Sequence, residues 1–359
     1  MAMPSYTRKL SILANSSLSS SNSNFPYQID LSNKLATDSK FKAAITSASN
    51  IAIYDPVADL LRPRIVSLDL DNNKLFISFD GSSQTTADKE FIVLAGPEIN
   101  EVNSSQAFSL AGFIHQLCFD EFTAASTTTD CVGGNIWTIN SPATLGNAGK
   151  IGNGLTLTSL GNAIASSGLI GTGDYYIEFI FKVNTVGLNQ TFIAHAGSGI
   201  SIILNENKTI QIYSQGTGAC AASTVLINDT NFHHIGILRR ESGLTDIYID
   251  GTKAGTNMGS GTPIDATKPT KIGLYGASVY PLSGMIDNIG WCDSVKDFDF
   301  YTTRYNMLMS PETFWTIGNS SGQTSNKPMI NYYNPLLRKF YINKINNTRK
   351  ALKRYGMNV

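Results

Sequence analysis

Histidine is nearly missing from this 359-residue chain, which has four: His115, His195, His233 and His234. No Gly-x-Ser-x-Gly elbow accompanies them, so a Ser-His-Asp hydrolase has no footing in the sequence. Cysteine is equally scarce. Cys118, Cys131, Cys220 and Cys292 show neither C-x-x-C spacing nor metal-like pairing, and free, buried thiols are expected. Charged residues make up only 15% of the chain and sum to zero net charge. No apolar run approaches the roughly 20 residues of a membrane-crossing helix. Met1 to Lys9 contains no apolar segment, so no secretory signal is expected. The glycosidase pattern Glu-x-Asp-x-x-Glu is absent as well. The nearest approach is Asp246-Ile247-Tyr248-Ile249-Asp250, in which Asp250 is taken up by a turn. No catalytic residue is assigned, and the protein is expected not to be an enzyme.

What is present is β-structure. The composition is 42% apolar and rich in Gly, Ser, Thr and Asn, which suits short strands joined by many turns. Tyr6 to Leu13, Phe25 to Leu31, Ile51 to Tyr54, Arg64 to Leu70, Lys74 to Phe79 and Glu90 to Leu94 read as six strands of a small N-terminal β-sandwich domain over residues 1–97. Residues 98–112, with Pro97 before them and Asn103-Ser104-Ser105 inside, read as a linker. A second β domain follows over 113–309. Its long strand Asp174 to Val183 places Tyr175, Ile177, Phe179, Phe181 and Val183 on one face. Phe232 to Arg240 and Leu244 to Asp250 alternate in the same way. Glu241-Ser242-Gly243 connects them, and Asp250-Gly251 turns the chain again.

These last residues carry a resemblance. His233-His234 before an alternating strand, then Tyr248-Ile249-Asp250-Gly251, then Gly284-Met285-Ile286-Asp287-Asn288-Ile289, is similar to the laminin-G-like, concanavalin-A-like jelly roll. Phe232 stands where the family usually has Trp, and Asn288 where it usually has an acidic residue. The resemblance implies an all-β sandwich whose first strand runs beside its last, which could bring Cys118 and Cys292 onto neighbouring strands. It also implies a structural calcium held by Asp287 with Asp120 or Glu121, or instead an Asp287 that binds backbone amides in a β-bulge. Lectin-like modules of this kind bind surface glycans through variable loops, so no glycan-binding residue is assigned. The first domain, through Tyr6-x-Arg8-Lys9, Phe25 to Ile29 and Phe91 to Gly96, resembles a β domain of uncharacterised function often found before such modules.

Residues 310–359 differ in character. Eight Lys/Arg stand there against Glu312 alone, giving +7 beside a body of −7. Aromatic residues are spread among the basic ones, and one short helix is expected from Asn343 to Tyr355. This is expected to be a docking segment, with Phe340, Tyr341, Arg349, Lys350, Lys353 and Arg354 as its contacts. Its partners would be other virion proteins or further copies of the chain in a homo-oligomer; nucleic acid is disfavoured because no nucleic-acid-binding fold surrounds the patch. The leading expectation is a bacteriophage-type virion protein, made in host cytoplasm, that displays a jelly roll for glycan or host-surface attachment. One alternative is a purely structural capsid-decoration, collar or tail component. The other is an exported bacterial adhesin or glycan-active enzyme at the extracellular surface.

Overall fold

The computed structural model describes residues 3, 5–15, 22–81, 83–84, 87–158, 160–165, 173–195, 200–214, 218–240, 244–258, 269–275 and 279–322. Among them the architecture is all-β with a few short helices. Two eight-stranded antiparallel sheets form the jelly roll. The back sheet runs in the order Thr144–Ala148, Asn153–Leu157, Gly284–Cys292, Tyr175–Val183, His233–Arg239, Leu244–Ile249 and Thr252–Met258. Phe113–Leu117 also pairs with Gly284–Cys292, so the first strand lies beside the last. The front sheet runs Thr127–Thr129, Ile136–Asn140, Asn162–Ala165, Thr270–Ile272, Gln190–His195, Ile200–Leu204, Thr209–Ser214 and Gly218–Leu226. Alternate residues of both sheets meet in one core that includes Trp137, Phe179, Phe181, Phe192 and Trp291. Asp250 and Gly251 both take positive φ, 48° and 79°, and turn the hairpin between Leu244–Ile249 and Thr252–Met258.

The N-terminal module has a sheet ordered Trp315–Ile317, Arg8–Ala14, Lys89–Ala95, Ile51–Asp55 and Leu60–Arg62, faced by Pro26–Asp30, Lys74–Asp80 and Arg64–Asp69. All six expected strands are present. The helices Ser32–Thr37 and Ser39–Ala43 were not expected. Nor was the most consequential element of the fold, the helix Phe298–Met309, capped by Asp297 accepting from the Phe300 N–H at 2.7 Å. It lies on the outer face of the back sheet. Gly236 makes room for it, since a Cβ there would stand 2.5 Å from the Tyr301 ring.

Two boundaries shift. Residues 98–112 are not a free linker. Glu101 and Ser104 donate to Ser49 O and Arg64 O at 2.9 Å, and the buried Arg64 guanidinium donates to Ile51 O, Ala48 O, Glu101 O and Asn103 Oδ1. The short helix Gln106–Ser109 buries Ala107 and Phe108. The segment expected to leave the body at Ser310 instead continues through Pro311–Phe314 into Trp315–Ile317, which pairs with Arg8–Ala14; Ser321–Gly322 pairs with Arg8 and Lys9. Phe314 and Trp315 are buried, and the Trp315 indole donates to Gln28 O at 3.0 Å. Burying two such side chains is worth on the order of 2–3 kcal/mol each, enough to hold the strand in the first sheet. The docking residues Phe340, Tyr341, Arg349, Lys350, Lys353 and Arg354 lie outside the described residues, as does the Asn343 to Tyr355 helix.

The modules also share a core. Tyr175, Ile177, Phe179, Phe181 and Val183 point into the sandwich as expected, but the opposite row of the same strand is buried too. Tyr176 and Ile180 join Phe300, Tyr301, Met307 and Leu308 of the helix and Phe25, Tyr27 and Phe79 of the N-terminal module in a single cluster. The two β domains thus meet in a seam packed like an interior.

Candidate functional site

The polar centre of that seam is Glu178, a carboxylate on an otherwise apolar strand. It is fully buried, as is Arg304 of the helix Phe298–Met309. The Arg304 Nε donates to Glu178 Oε1 at 2.8 Å, Nη2 donates to the same oxygen, and Nη1 donates to Pro26 O at 2.9 Å. Tyr176 donates to Glu178 Oε2 at 2.8 Å, and His234 Nε2 lies 3.7 Å from that oxygen. Burial alone would raise the Glu178 carboxyl, but Arg304 and His234 hold it down to about 2. One arginine therefore ties together the jelly roll, the helix and the first module.

The two histidines of the motif have structural partners. His233 sits between Asp250 and Asp229, with Nδ1 2.6 Å from Asp250 Oδ2 and Nε2 3.1 Å from Asp229 Oδ1. Burial lowers its pKa, yet the two carboxylates raise it overall. His234 stacks on Tyr301, with ring centroids 5.0 Å apart. Asp246 accepts from Arg240, Lys253 and Thr256 and is held at about 2 despite its burial. The Asp246/Asp250 pair is therefore committed to ion pairs and a turn. His115 pairs with Asp130 at 2.5 Å, and Asp130 Oδ1 also accepts the N–H groups of Gln116, Val132 and Gly133.

The expected metal residues do come together. Asp287 is fully buried at a bulge of the last strand, where Asn288 takes φ 54° and the pairing register to Tyr175–Val183 shifts. Its Oδ2 accepts the Lys150 and Ile151 N–H groups at 2.9 and 3.0 Å, as the amide-binding alternative required. Its Oδ1 is buried with no hydrogen-bond partner. The Gly149 to Gly152 loop closes against both carboxyls: a Cβ at Gly149 would stand 2.5 Å from Asp287 Oδ2, and one at Gly152 would stand 2.3 Å from Asp120 Oδ1. Burial pushes Asp287 up to about 8. Asp120, pushed up by burial and then by the Asp287 charge, stands well above the carboxylate range. Two neighbouring carboxyls with no ion-pair partner among the described residues must keep a proton or take a cation in its place. Their hard oxygens suit calcium, with the unpartnered Asp287 Oδ1 and the Asp120 carboxylate as donors. No set of three or more His, Cys, Asp or Glu with metal-site geometry occurs among the described residues, so backbone carbonyls and water would complete the shell.

Beside this pair, at the seam, lies a cleft of about 230 Å³. Its walls include Ile65 and Ser67 of the first module and Cys118, Asp120, Phe122 and Cys131 of the second. Cys118 does not meet Cys292. Phe113 is paired with Cys292 and Leu117 with Ile289, so register carries Cys118 to the far end of the strand pair. Its neighbour is Cys131, with the two sulfurs 3.8 Å apart.

Residues 158–296 match the concanavalin A-like lectin/glucanases superfamily. The matched stretch lies within the two-sheet sandwich. Domain 4 of AbnA, a GH43 extracellular arabinanase from Geobacillus stearothermophilus, is similar with a TM-score of 0.43 and 16% identity, over 53% of this chain and 96% of that one. The binding domain of Paraclostridial Mosquitocidal Protein 1 gives 0.46 and 13% over 54% of this chain and 52% of its own. The binding domain of botulinum neurotoxin serotype D gives 0.42 and 12% over 54% and 51%. This chain thus spans about half the length of the two toxin domains. No curated protein matches the sequence.

Proposed function

We infer that this chain is a non-enzymatic attachment protein of a virus particle, presenting its jelly roll to a glycan or host-surface ligand. The observation that carries the reading is the asymmetry of the sandwich. The outer face of the back sheet is buried beneath the helix Phe298–Met309 and the N-terminal module, with Tyr176, Glu178 and Ile180 wholly enclosed. The front sheet instead turns Thr138, Lys271 and Tyr213 outward, opposite in alternation to the buried Trp137, Ile272 and Ile212, and Tyr213 is 37% exposed. Hydroxyls, an ammonium and an aromatic edge on one face are groups that bind sugars. One side is for holding and the other for display. Asp120 and Asp287 would hold a structural calcium beneath the display module. Residues 323–359, which carry eight Lys/Arg and no Asp or Glu, follow Gly322 at the edge of the first sheet and are the anchor to other virion proteins or to further copies. Ile136, 62% exposed on the same front sheet, favours a second reading in which this face contacts protein within the particle.

A glycan array probed with the full chain tests the ligand. Binding that Tyr213→Ala reduces at least about tenfold supports the attachment reading, whereas a blank array together with front-sheet contacts in a particle reconstruction would select the structural one. Deleting residues 334–359 should leave thermal stability unchanged and abolish incorporation or the oligomer mass; normal assembly of the truncated chain would move the anchor into the first module.

A further inference from the structure

The cleft at the seam holds two thiols that the backbone itself brings together. The Cys131 N–H donates to Gln116 O at 2.8 Å, next to the strand end that carries Cys118. Asp130 Oδ1 fixes the turn on the other side by accepting from Gln116, Val132 and Gly133 at 2.9 to 3.0 Å. The sulfurs stand 3.8 Å apart, against about 2.05 Å in a disulfide, a difference that side-chain rotation can close. Their access differs: Cys118 is buried and Cys131 is partly exposed, and both line the cleft.

We propose that Cys118 and Cys131 are a reversible dithiol–disulfide pair that reacts with low-molecular-weight disulfides entering the cleft. Cys131, the accessible thiol, loses its proton and attacks one sulfur of the small disulfide; a mixed disulfide forms and one small thiolate leaves and takes up a proton. Cys118 then gives up its proton and attacks Cys131 Sγ, expelling the second small thiol. Two protein S–H bonds are lost, one S–S bond forms, and the small disulfide is reduced to two thiols. Cys118 is buried behind the partly exposed Cys131, so a small disulfide meets Cys131 first and Cys118 resolves rather than initiates. The bond would staple the end of Phe113–Leu117 to the Asp130 turn along the wall that Ile65 and Ser67 share, tightening the contact between modules.

The test uses the full chain incubated with oxidised glutathione, alkylated under denaturing conditions and digested. Peptides carrying Cys118 and Cys131 should appear joined and unalkylated, with a Tm gain of about 3–6 °C that dithiothreitol reverses. Cys118→Ser should trap Cys131 as a stable glutathione adduct. Cys131→Ser, at the partly exposed position, should leave Cys118 fully alkylatable with no Tm gain. A wild-type chain in which Cys131 carries glutathione while Cys118 remains a free thiol, or in which Cys118 joins Cys220 or Cys292, overturns the proposal.

Discussion

Arg304→Met removes the cation from the centre of the seam while keeping most of its apolar stem volume. Glu178 is then left fully buried with Tyr176 as its remaining donor, and Pro26 O loses its partner. Two routes give the magnitude. Breaking a buried ion pair from one side costs about 3–5 kcal/mol. Holding Glu178 at about 2 rather than at its ordinary 4.5 corresponds to about 3 kcal/mol of stabilisation of the charged form. Because the folded pKa is depressed, this stability is present above about 4.5 and is lost as pH falls from there towards 2.

The measurement is thermal and urea unfolding at pH 7 and pH 3. The wild-type chain should unfold in one transition, because the two modules share a cluster. Arg304→Met should lose about 5–10 °C and split into two transitions, and its remaining stability should depend less on pH below 5. Arg304→Met combined with Glu178→Gln should recover at least half of the loss, since the uncompensated charge is gone. A single variant costing under about 1 kcal/mol, or a double variant no better than the single, would refute the view that this pair holds the modules together.

Three further outcomes are expected. His233 has a raised folded pKa, so its contribution of about 1 kcal/mol is present below the unfolded value near 6.5 and lost as pH rises through the folded one; His233→Gln should flatten Tm between pH 6 and 8. Asp287 and Asp120 are raised, so without metal the fold loses stability as pH climbs from about 4 towards 8; millimolar calcium should raise Tm most at the upper end, with reversal by a chelator and no response in Asp120→Asn. Arg64→Ala should expose residues 98–112 to limited proteolysis that the wild-type chain resists, with both modules still folded at 25 °C.

Much of the fold was legible because strands announce themselves by alternation. The six N-terminal strands, the Asp250-Gly251 turn and the first-beside-last pairing all follow from local pattern and family resemblance. The helix Phe298–Met309 was not legible. Its buried face includes Thr303 and Arg304 beside Phe300, Tyr301, Met307 and Leu308, so its apolar period is broken where Glu178 must be met. The linker was misread for a related reason: Arg64 holds Glu101 O and Asn103 Oδ1 in a segment without periodicity, and no sequence pattern reports a bond from a side chain 37 residues away. The Cys118–Cys131 contact depends on register and on the Asp130 turn, neither of which spacing encodes.

One signal was in plain view. A strand buried on one face alternates, whereas a strand buried on both reads as a nearly continuous apolar run. Tyr175-Tyr176-Ile177-Glu178-Phe179-Ile180-Phe181 is such a run, broken by a single carboxylate. The run required a cover on the outside of the back sheet. The lone Glu required that the cover bring a cation, because a carboxylate so enclosed cannot stay charged unpaired. Those two requirements point to a basic residue on a packed element and to the back sheet as the face that is held. On the proposed attachment reading, that leaves the front sheet and the loops at its rim to meet a ligand or partner, with Thr138 and Tyr213 facing out. On that reading, the display face follows from where the buried Glu178 of the central strand finds its partner.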